Sequence, residues 1–160
     1  MIFVTVGSTD FDTLVQAVDA LCDAGGPLAG HEVVMQIGEG RYEPRHGTFF
    51  RFAPALRPYY EAADLVIAHG GLGTAVEAMG CGCRLVAVTN PDRYDHHQDD
   101  LIGTLAEQGC LRWCSDLASL GDVVRDALSF CPQPYECPPC TIHEVIAGYV
   151  ERNVTRKRLS

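Results

Sequence analysis

Short apolar runs alternate along the chain with longer segments whose apolar positions are three or four residues apart. A continuous apolar run such as Leu65-Val66-Ile67-Ala68 is typical of a strand buried on both faces of a parallel sheet. The three-and-four spacing predicts helices that cover such a sheet with one face. The pattern predicts strands at 1–6, 32–37, 48–52, 64–68, 84–88 and 111–114. It predicts helices at 11–22, 54–63, 96–108, 117–130 and 141–150, and one more that follows residue 74 and ends near 79.

Strands and helices that alternate in this way imply a doubly wound α/β fold with a mainly parallel, Rossmann-like sheet. Ligands of such folds bind at the carboxyl ends of the strands. A chain of 160 residues holds one compact domain and leaves little over for a second. We expect that domain at residues 1–130, a linker rich in proline and cysteine at 131–140, and a C-terminal helix with a basic tail at 141–160.

The strongest candidate ligand loop is His-Gly-Gly-Leu-Gly-Thr-x-x-Glu at 69–77, directly after the fourth strand. Glycines let a ligand approach the backbone, and the free N–H groups of a new helix favour an anion. Thr74 would donate to a phosphate, and Glu77 would accept hydrogen bonds from a ribose diol. The same two residues also fit an ordinary capping box, so the loop predicts either a diphosphate site or a plain helix start. Its spacing differs from G-x-G-x-x-G, which disfavours a nicotinamide cofactor.

Two further loops follow predicted strands. His97 and Gln98 lie one turn before Leu101 and Ile102, so their side chains should point toward the sheet, where Gln98 could bind sugar hydroxyls. Plain polar residues in a first helical turn are the alternative, and neighbours on a helix diverge by about 100°, which disfavours a shared metal. The loop at 7–10 has the composition of a phosphate loop and equally of an N-cap, in which Thr9 and Asp12 approximate a capping box.

Taken together, these motifs resemble the carboxy-terminal half of family 28 glycosyltransferases. The resemblance covers roughly residues 1–128, and it is specific because the glycine block at 69–77 occurs together with His97-Gln98. The chain is similar to the short sugar-nucleotide-binding subunits of two-component transferases, both of the dolichol pathway and of bacterial exopolysaccharide synthesis. The matching segments are 3–9 with Phe11, Asp12 and Leu14, then 63–77, Val88-Thr89-Asn90, His97-Gln98 and 105–109.

The resemblance implies one half of a GT-B enzyme, which holds the nucleotide sugar. By analogy, residues 70–74 would bind the diphosphate through backbone N–H groups, Glu77 the ribose and Gln98 the hexose. Gly7 and Ser8 would face the phosphates from the other side of the cleft. The residues expected to line the donor site are Gly7, Ser8, Thr9, His69, Gly70, Gly71, Leu72, Gly73, Thr74, Glu77, Asn90, His97 and Gln98.

The implied activity is inverting transfer of a hexose or N-acetylhexosamine, with UDP-N-acetylglucosamine as the expected donor. Such enzymes need no metal or other cofactor, because N–H groups and helix dipoles stabilise the leaving UDP. A membrane-anchored partner subunit would bind the lipid-linked saccharide acceptor, supply the general base and hold the chain at the cytosolic membrane face. A non-catalytic module that binds a nucleotide sugar fits the same motifs. Cys81-Gly82-Cys83-Arg84, where the family usually has Gly-Lys-Pro, leaves the sugar and the partner open.

The charge distribution narrows the function further. The net charge of −9 disfavours nonspecific binding to nucleic acid, although residues 151–160 carry four of the twelve basic residues. Lys157 is the only lysine, which excludes a P-loop lysine or a lysine Schiff base in the body of the chain. No signal peptide or 18-residue apolar run is visible, so we expect a cytoplasmic chain.

The C-terminal third has two features with more than one interpretation. Cys131, Cys137, Cys140 and His143 could bind zinc, form a hinge with reduced thiols or take part in redox chemistry. Beyond them, an apolar helical stripe could dock a partner or pack back on the chain's own sheet. Cys110 and Cys114, in contrast, flank a short strand and are expected in the core. The stripe consists of Ile142, Val145, Ile146, Tyr149 and Val150.

Overall fold

The computed structural model describes residues 1–90, 97–135 and 141–157, without the side chains of 97, 98 and 151–157. The strands are β1 (Ile2–Thr5), β2 (Val33–Gln36), β3 (Thr48–Phe50), β4 (Leu65–His69), β5 (Leu85–Val88) and β6 (Arg112–Cys114). The helices are α1 (Asp12–Leu21), α2 (Arg57–Ala62), α3 (Leu72–Gly80), α4 (His97–Glu107), α5 (Leu120–Ala127) and α6 (Ile142–Lys157), with a 3-10 turn at Leu117–Ser119. Each predicted strand and helix is therefore present, with shifted ends.

The six strands of the described part of the chain form one parallel sheet in the order β3-β2-β1-β4-β5-β6. The chain runs outward from β1 to β3 and then returns to place β4 on the other side of β1. This change of direction creates a switch point between β1 and β4, where Thr5 pairs with Ala68. In open parallel sheets, the crevice at the carboxyl ends of the strands at such a point is where ligands bind.

Helices cover both faces of the sheet, which explains the continuous apolar runs. Successive residues of a strand point to opposite faces. Ile2 and Val4 therefore pack with α1 and α5, whereas Phe3 packs with α2, α3 and α4. Both clusters consist mainly of aliphatic and aromatic side chains, and Cys110 and Cys114 are buried in them as predicted.

The predicted capping box at the start of α1 is wrong. The N-cap residue is Phe11, and no side chain caps the helix among the described residues. The Thr9 hydroxyl instead donates to the carbonyl oxygen of Val6 at 3.1 Å. The Asp12 carboxylate accepts the backbone N–H groups of Arg41 and Tyr42 at 3.0 and 3.2 Å. The Asp12 side chain therefore binds the loop after β2, whereas local spacing had assigned it to the helix cap.

Two other helix boundaries differ from the sequence expectation. Helix α2 begins at Arg57 rather than near Pro54, and Pro58 lies in its first turn, where a missing N–H costs least. Helix α6 continues to Lys157, past the expected end near 150. Residues 131–135 have no regular secondary structure. Cys137 and Cys140 lie outside the described residues, so the alternatives of zinc binding, a hinge with reduced thiols and redox chemistry stay untested.

The apolar stripe of helix α6 does not pack back on the sheet, so that alternative is wrong for this face of the helix. The five side chains of its apolar stripe are each 49–64% exposed. In the described part of the chain, no helix is both long enough and apolar enough to cross a membrane.

Candidate functional site

The loops after β1 and β4 meet at the switch point of the sheet. His69 ends β4, and its imidazole lies between the backbones of Gly7 and Gly71. A Cβ at Gly7 would lie 2.8 Å from His69 Cε1, and Gly7 also has a φ of +70°, which favours glycine. The structure thus brings together residues of two predicted ligand loops, and glycine is required where they touch.

A buried polar pair shapes the first of these loops. The Thr5 hydroxyl donates to Gln36 Oε1 at 2.5 Å and accepts the N–H of Gly7 at 3.0 Å. Because both side chains are buried, each needs the other as a hydrogen-bond partner. Ser8 is exposed beside them. The pair joins residues 31 positions apart, and we did not predict it because no local motif signals such a contact.

Helix α3 begins at the site with an uncapped first turn. Gly71 is its N-cap, and no side chain of the described residues caps it. Leu72 and Gly73 are exposed, and a Cβ at Gly73 would meet no atom within 4 Å. Thr74 lies inside the helix, so the capping-box alternative for Thr74 and Glu77 is wrong. The free N–H groups and the positive end of the helix dipole are therefore available to an anion.

A cavity of about 410 Å³ opens between α2 and the second half of α3. This volume lies within the usual range for small-molecule sites, and its walls combine apolar side chains with a few charged groups. Glu77, one turn after Thr74, lines it together with Arg57 of α2. The remaining lining residues are Ala55, Leu56, Tyr60, Val76, Gly80 and Cys81.

Tyr60 forms a buried wall of the cavity and was not predicted as a site residue. Its side chain is 1% exposed. Burial raises the pKa of Tyr60 to about 12, and the nearby negative charge of Glu77 adds to this rise. The Thr74 side chain acts in the opposite direction and lowers the pKa. No hydrogen bond of normal geometry reaches the phenol oxygen among the described residues. No sequence motif indicated that α2 forms a wall of this cavity. That position follows only from the fold, because α2 leads into β4 and must lie next to α3.

The ends of β4, β5 and β6 are joined beside the start of α4. The N–H of Gly70 donates to the carbonyl oxygen of Val88 at 2.8 Å, so the glycine loop is tied to the end of β5. Thr89 and the half-buried Asn90 follow β5 directly. The backbone of His97 and Gln98 forms the first turn of α4. Their side chains lie outside the described residues, so their roles remain predictions.

A comparison with protein families identifies the family of the chain. The model of the glycosyltransferase family 28 C-terminal domain matches residues 1–145. The chain belongs to this family. Curated relatives carry the name UDP-N-acetylglucosamine transferase subunit ALG13. The mouse protein (Mus musculus) is 35% identical over 122 residues, and the human protein (Homo sapiens) is 32% identical over 123 residues.

The match to each of these relatives covers 71% of the chain but only 10% of the mouse protein and 11% of the human one. The Debaryomyces hansenii protein of the same name is 26% identical over 116 residues, which cover 70% of this chain and 55% of the yeast protein. The chain therefore corresponds to a small part of the mammalian relatives and to about half of the yeast relative.

Solved structures confirm the predicted GT-B half-fold. The NMR structure of ALG13 covers 91% of this chain at a TM-score of 0.59 and 18% identity, and the match spans 93% of that protein. The crystal structure of MurG from Acinetobacter baumannii covers 82% of this chain at a TM-score of 0.58 and 21% identity. That match spans 45% of the MurG chain. The family member described here thus has the doubly wound parallel sheet expected from its sequence.

Proposed function

We propose that the chain is the donor-binding subunit of a two-component inverting glycosyltransferase, which transfers N-acetylglucosamine from UDP to a lipid-linked acceptor. The observation that supports this most strongly is the uncapped start of α3 at the switch point, followed along the same helix by a cavity that carries the Glu77 carboxylate. The relatives named as UDP-N-acetylglucosamine transferase subunits support the choice of donor.

The diphosphate of the donor binds at the first turn of α3. The N–H groups of Leu72, Gly73 and Thr74 point to the anion, and the Thr74 hydroxyl adds a further donor. Gly7 and Ser8 approach it from the β1 side of the crevice. As the bond to the sugar breaks, negative charge grows on the UDP oxygen, and donors already in place stabilise that charge without reorganisation.

The nucleoside of the donor occupies the cavity between α2 and α3. The Glu77 carboxylate accepts hydrogen bonds from the two ribose hydroxyls, and Leu56 and Val76 provide an apolar wall for the base. Hydrogen bonds to a charged group each contribute about 1.5–3 kcal/mol. Ribose recognition by Glu77 therefore accounts for a large share of nucleotide affinity.

The sugar of the donor lies toward the start of α4, next to the end of β5. Gln98 donates to and accepts from the hexose hydroxyls, and His97 and Asn90 complete this side of the site. This arrangement separates the two tasks of the site, because nucleotide binding depends on α3 and sugar selection depends on α4.

A membrane-anchored partner subunit brings the acceptor and docks on α6. The exposed apolar stripe of α6 supports this docking, since a helix with five exposed apolar side chains gains from a covering surface. The basic residues near the chain end then face acidic lipid headgroups or an acidic partner surface. They are Arg152, Arg156, Lys157 and Arg158.

The experiment that tests this proposal adds the purified chain to membranes that contain the partner, together with radiolabelled UDP-N-acetylglucosamine. We expect label in the lipid fraction with the full chain and none with residues 1–140, although the truncated chain still binds UDP. Ile146→Asp, on the stripe, should reduce co-sedimentation with the membranes, whereas Ala147→Asp adds the same charge off the stripe and serves as the matched control.

Two outcomes would redirect the proposal. Transfer to a soluble acceptor by the purified chain alone would contradict the two-subunit arrangement. Tight UDP-N-acetylglucosamine binding without transfer in any membrane fraction would instead favour a non-catalytic module that senses the nucleotide sugar.

A further inference from the structure

Three side chains from separate elements form a hydrogen-bonded chain at the start of α4. The indole N–H of Trp113, on β6, donates to the Thr89 hydroxyl oxygen at 2.9 Å. The Thr89 hydroxyl in turn donates to Asp99 Oδ1 at 3.0 Å. An indole N–H only donates and a carboxylate only accepts, so the Thr89 hydroxyl is the one group that can connect them.

A second contact joins the same tryptophan to α4 one turn further along. A Cβ at Gly103 would lie 3.4 Å from Cζ3 of the Trp113 ring, so the ring lies close over this glycine. Asp99 and Gly103 are four residues apart and therefore share one face of the helix. A methyl group at residue 103 would be in ordinary van der Waals contact with the ring, so the ring packs directly against this face of the helix. Trp113 thus holds α4 at two points.

These contacts are not those of a buried core. Trp113 is 37% exposed, and Thr89 and Asp99 are half-buried. Hydrogen bonds at such positions exchange readily with water, so they add little to the stability of the fold. They do determine where the first turn of α4 lies relative to the ends of β5 and β6, because Asp99 directly follows His97 and Gln98 in that turn.

We propose that Thr89 and Trp113 are positioning residues for sugar recognition, which hold the first turn of α4 at the donor site. The inference rests on the proposed function, in which that turn binds the sugar of UDP-N-acetylglucosamine. Thr89 and Trp113 act through Asp99 and Gly103 and do not touch the ligand. We call the contacts of Thr89 and Trp113 with Asp99 and Gly103 the clamp. Loss of the clamp should weaken binding of the nucleotide sugar and leave binding of UDP itself unchanged.

Thr89→Val tests the clamp, because it removes the hydroxyl and keeps the shape of the side chain. We expect about tenfold weaker binding of UDP-N-acetylglucosamine by calorimetry, a change of less than twofold for UDP, and recovery in Thr89→Ser. Thr104→Val is the matched control. Its hydroxyl donates at 2.9 Å to the carbonyl oxygen of Asp100, within α4 itself.

Trp113 also provides a direct spectroscopic readout, since it is the only tryptophan of the chain. In the wild-type protein and in Thr104→Val, its fluorescence should change on addition of UDP-N-acetylglucosamine. The change should be lost in Thr89→Val and restored in Thr89→Ser. A purely structural role of the clamp would lower the melting temperature of Thr89→Val without this selective loss.

The outcomes separate this inference from the proposed function. If the wild-type chain binds neither UDP nor UDP-N-acetylglucosamine, both are overturned. If the wild-type chain binds them and Thr89→Val binds the nucleotide sugar equally well, only the clamp is overturned. An equal loss for UDP and for the nucleotide sugar would also overturn it, because the clamp would then serve the nucleotide.

Discussion

The imidazole of His69 lies so close to Gly71 that a Cβ at residue 71 would come within 2.4 Å of Nε2. This contact, and its counterpart at Gly7, couples the side chain that ends β4 to the backbone that starts α3. The position of the uncapped helix start therefore depends on glycine at residue 71. Gly73, two residues later, has open space around it.

Substitutions at these two glycines should have opposite effects on stability. Gly71→Ala forces His69 or the loop to move, and we expect it to lower the free energy of unfolding by about 1–3 kcal/mol. Gly73→Ala should raise it by about 0.5–1 kcal/mol, because alanine suits a helix better and meets no neighbour. Thermal unfolding of both variants measures this. A Gly71→Ala variant as stable as the wild type would show that the contact with His69 relaxes freely.

Glu77→Gln should weaken UDP binding by about ten- to hundredfold, the equivalent of one charged hydrogen bond. The wild-type chain should bind 2′-deoxy-UDP more weakly than UDP by a similar factor. The variant should bind UDP and 2′-deoxy-UDP equally well. Glu107→Gln, at the exposed far end of α4, is the control and should bind UDP normally. If Glu77→Gln still prefers UDP over its 2′-deoxy analogue, Glu77 does not bind the ribose.

Gln98→Ala should weaken binding of UDP-N-acetylglucosamine by about tenfold and leave UDP nearly unchanged, because the amide is assigned to sugar hydroxyls. Gln108→Ala is the matched control, since Gln108 is exposed just beyond the other end of α4. Competition calorimetry with the two ligands gives the comparison. Equal losses for both would assign Gln98 to the phosphates instead.

Asp19 should make the protein sensitive to acid. Its carboxylate is fully buried on α1 and accepts hydrogen bonds from the Tyr42 hydroxyl at 2.6 Å and from the His46 N–H at 2.9 Å. Burial alone would raise the pKa of Asp19, but these bonds and those from Arg45 outweigh it and hold the pKa well below its usual range. The stabilisation by Asp19 is therefore complete above about pH 4, which is the pKa of an aspartate in the unfolded chain. It is lost as the pH falls further toward the lower pKa of Asp19 in the folded protein.

Asp19→Asn should lower the free energy of unfolding at pH 7 by about 3 kcal/mol, because an amide cannot accept all of these bonds. Below pH 4, the stability of this variant should fall less steeply than that of the wild type. Asp23→Asn is the control, since Asp23 faces the same Arg45 and His46 side chains at 3.5 Å but is exposed. Chemical unfolding across this pH range would refute the assignment if Asp19→Asn and wild type show parallel curves.

The parts of the site that the sequence predicted are those encoded by neighbouring residues. The apolar run of β4 and the glycines after it specify a buried strand and a tight entry into α3, and both are present. The helix-capping role of Asp12 was wrong because backbone groups of Arg41 and Tyr42, far along the chain, bind its carboxylate. Local spacing carries no information about such partners.

The residues that the sequence analysis missed all act across long separations. Tyr60 becomes a cavity wall only when α2 lies beside α3, and the Thr89 hydroxyl finds Trp113 24 positions away. Asp19 is an ordinary acidic residue of a helix until residues 42–46 fold over it. These contacts follow from the topology of the sheet, and that topology could be inferred in outline but not to the level of side-chain partners.

The measurement that tests the central claim most directly is calorimetric titration of the wild-type chain with UDP-N-acetylglucosamine, UDP and GDP. The account predicts saturable binding of one molecule per chain for both uridine ligands, with GDP at least about tenfold weaker. Absence of saturable binding for both uridine ligands, or GDP binding as tight as that of UDP, would contradict it.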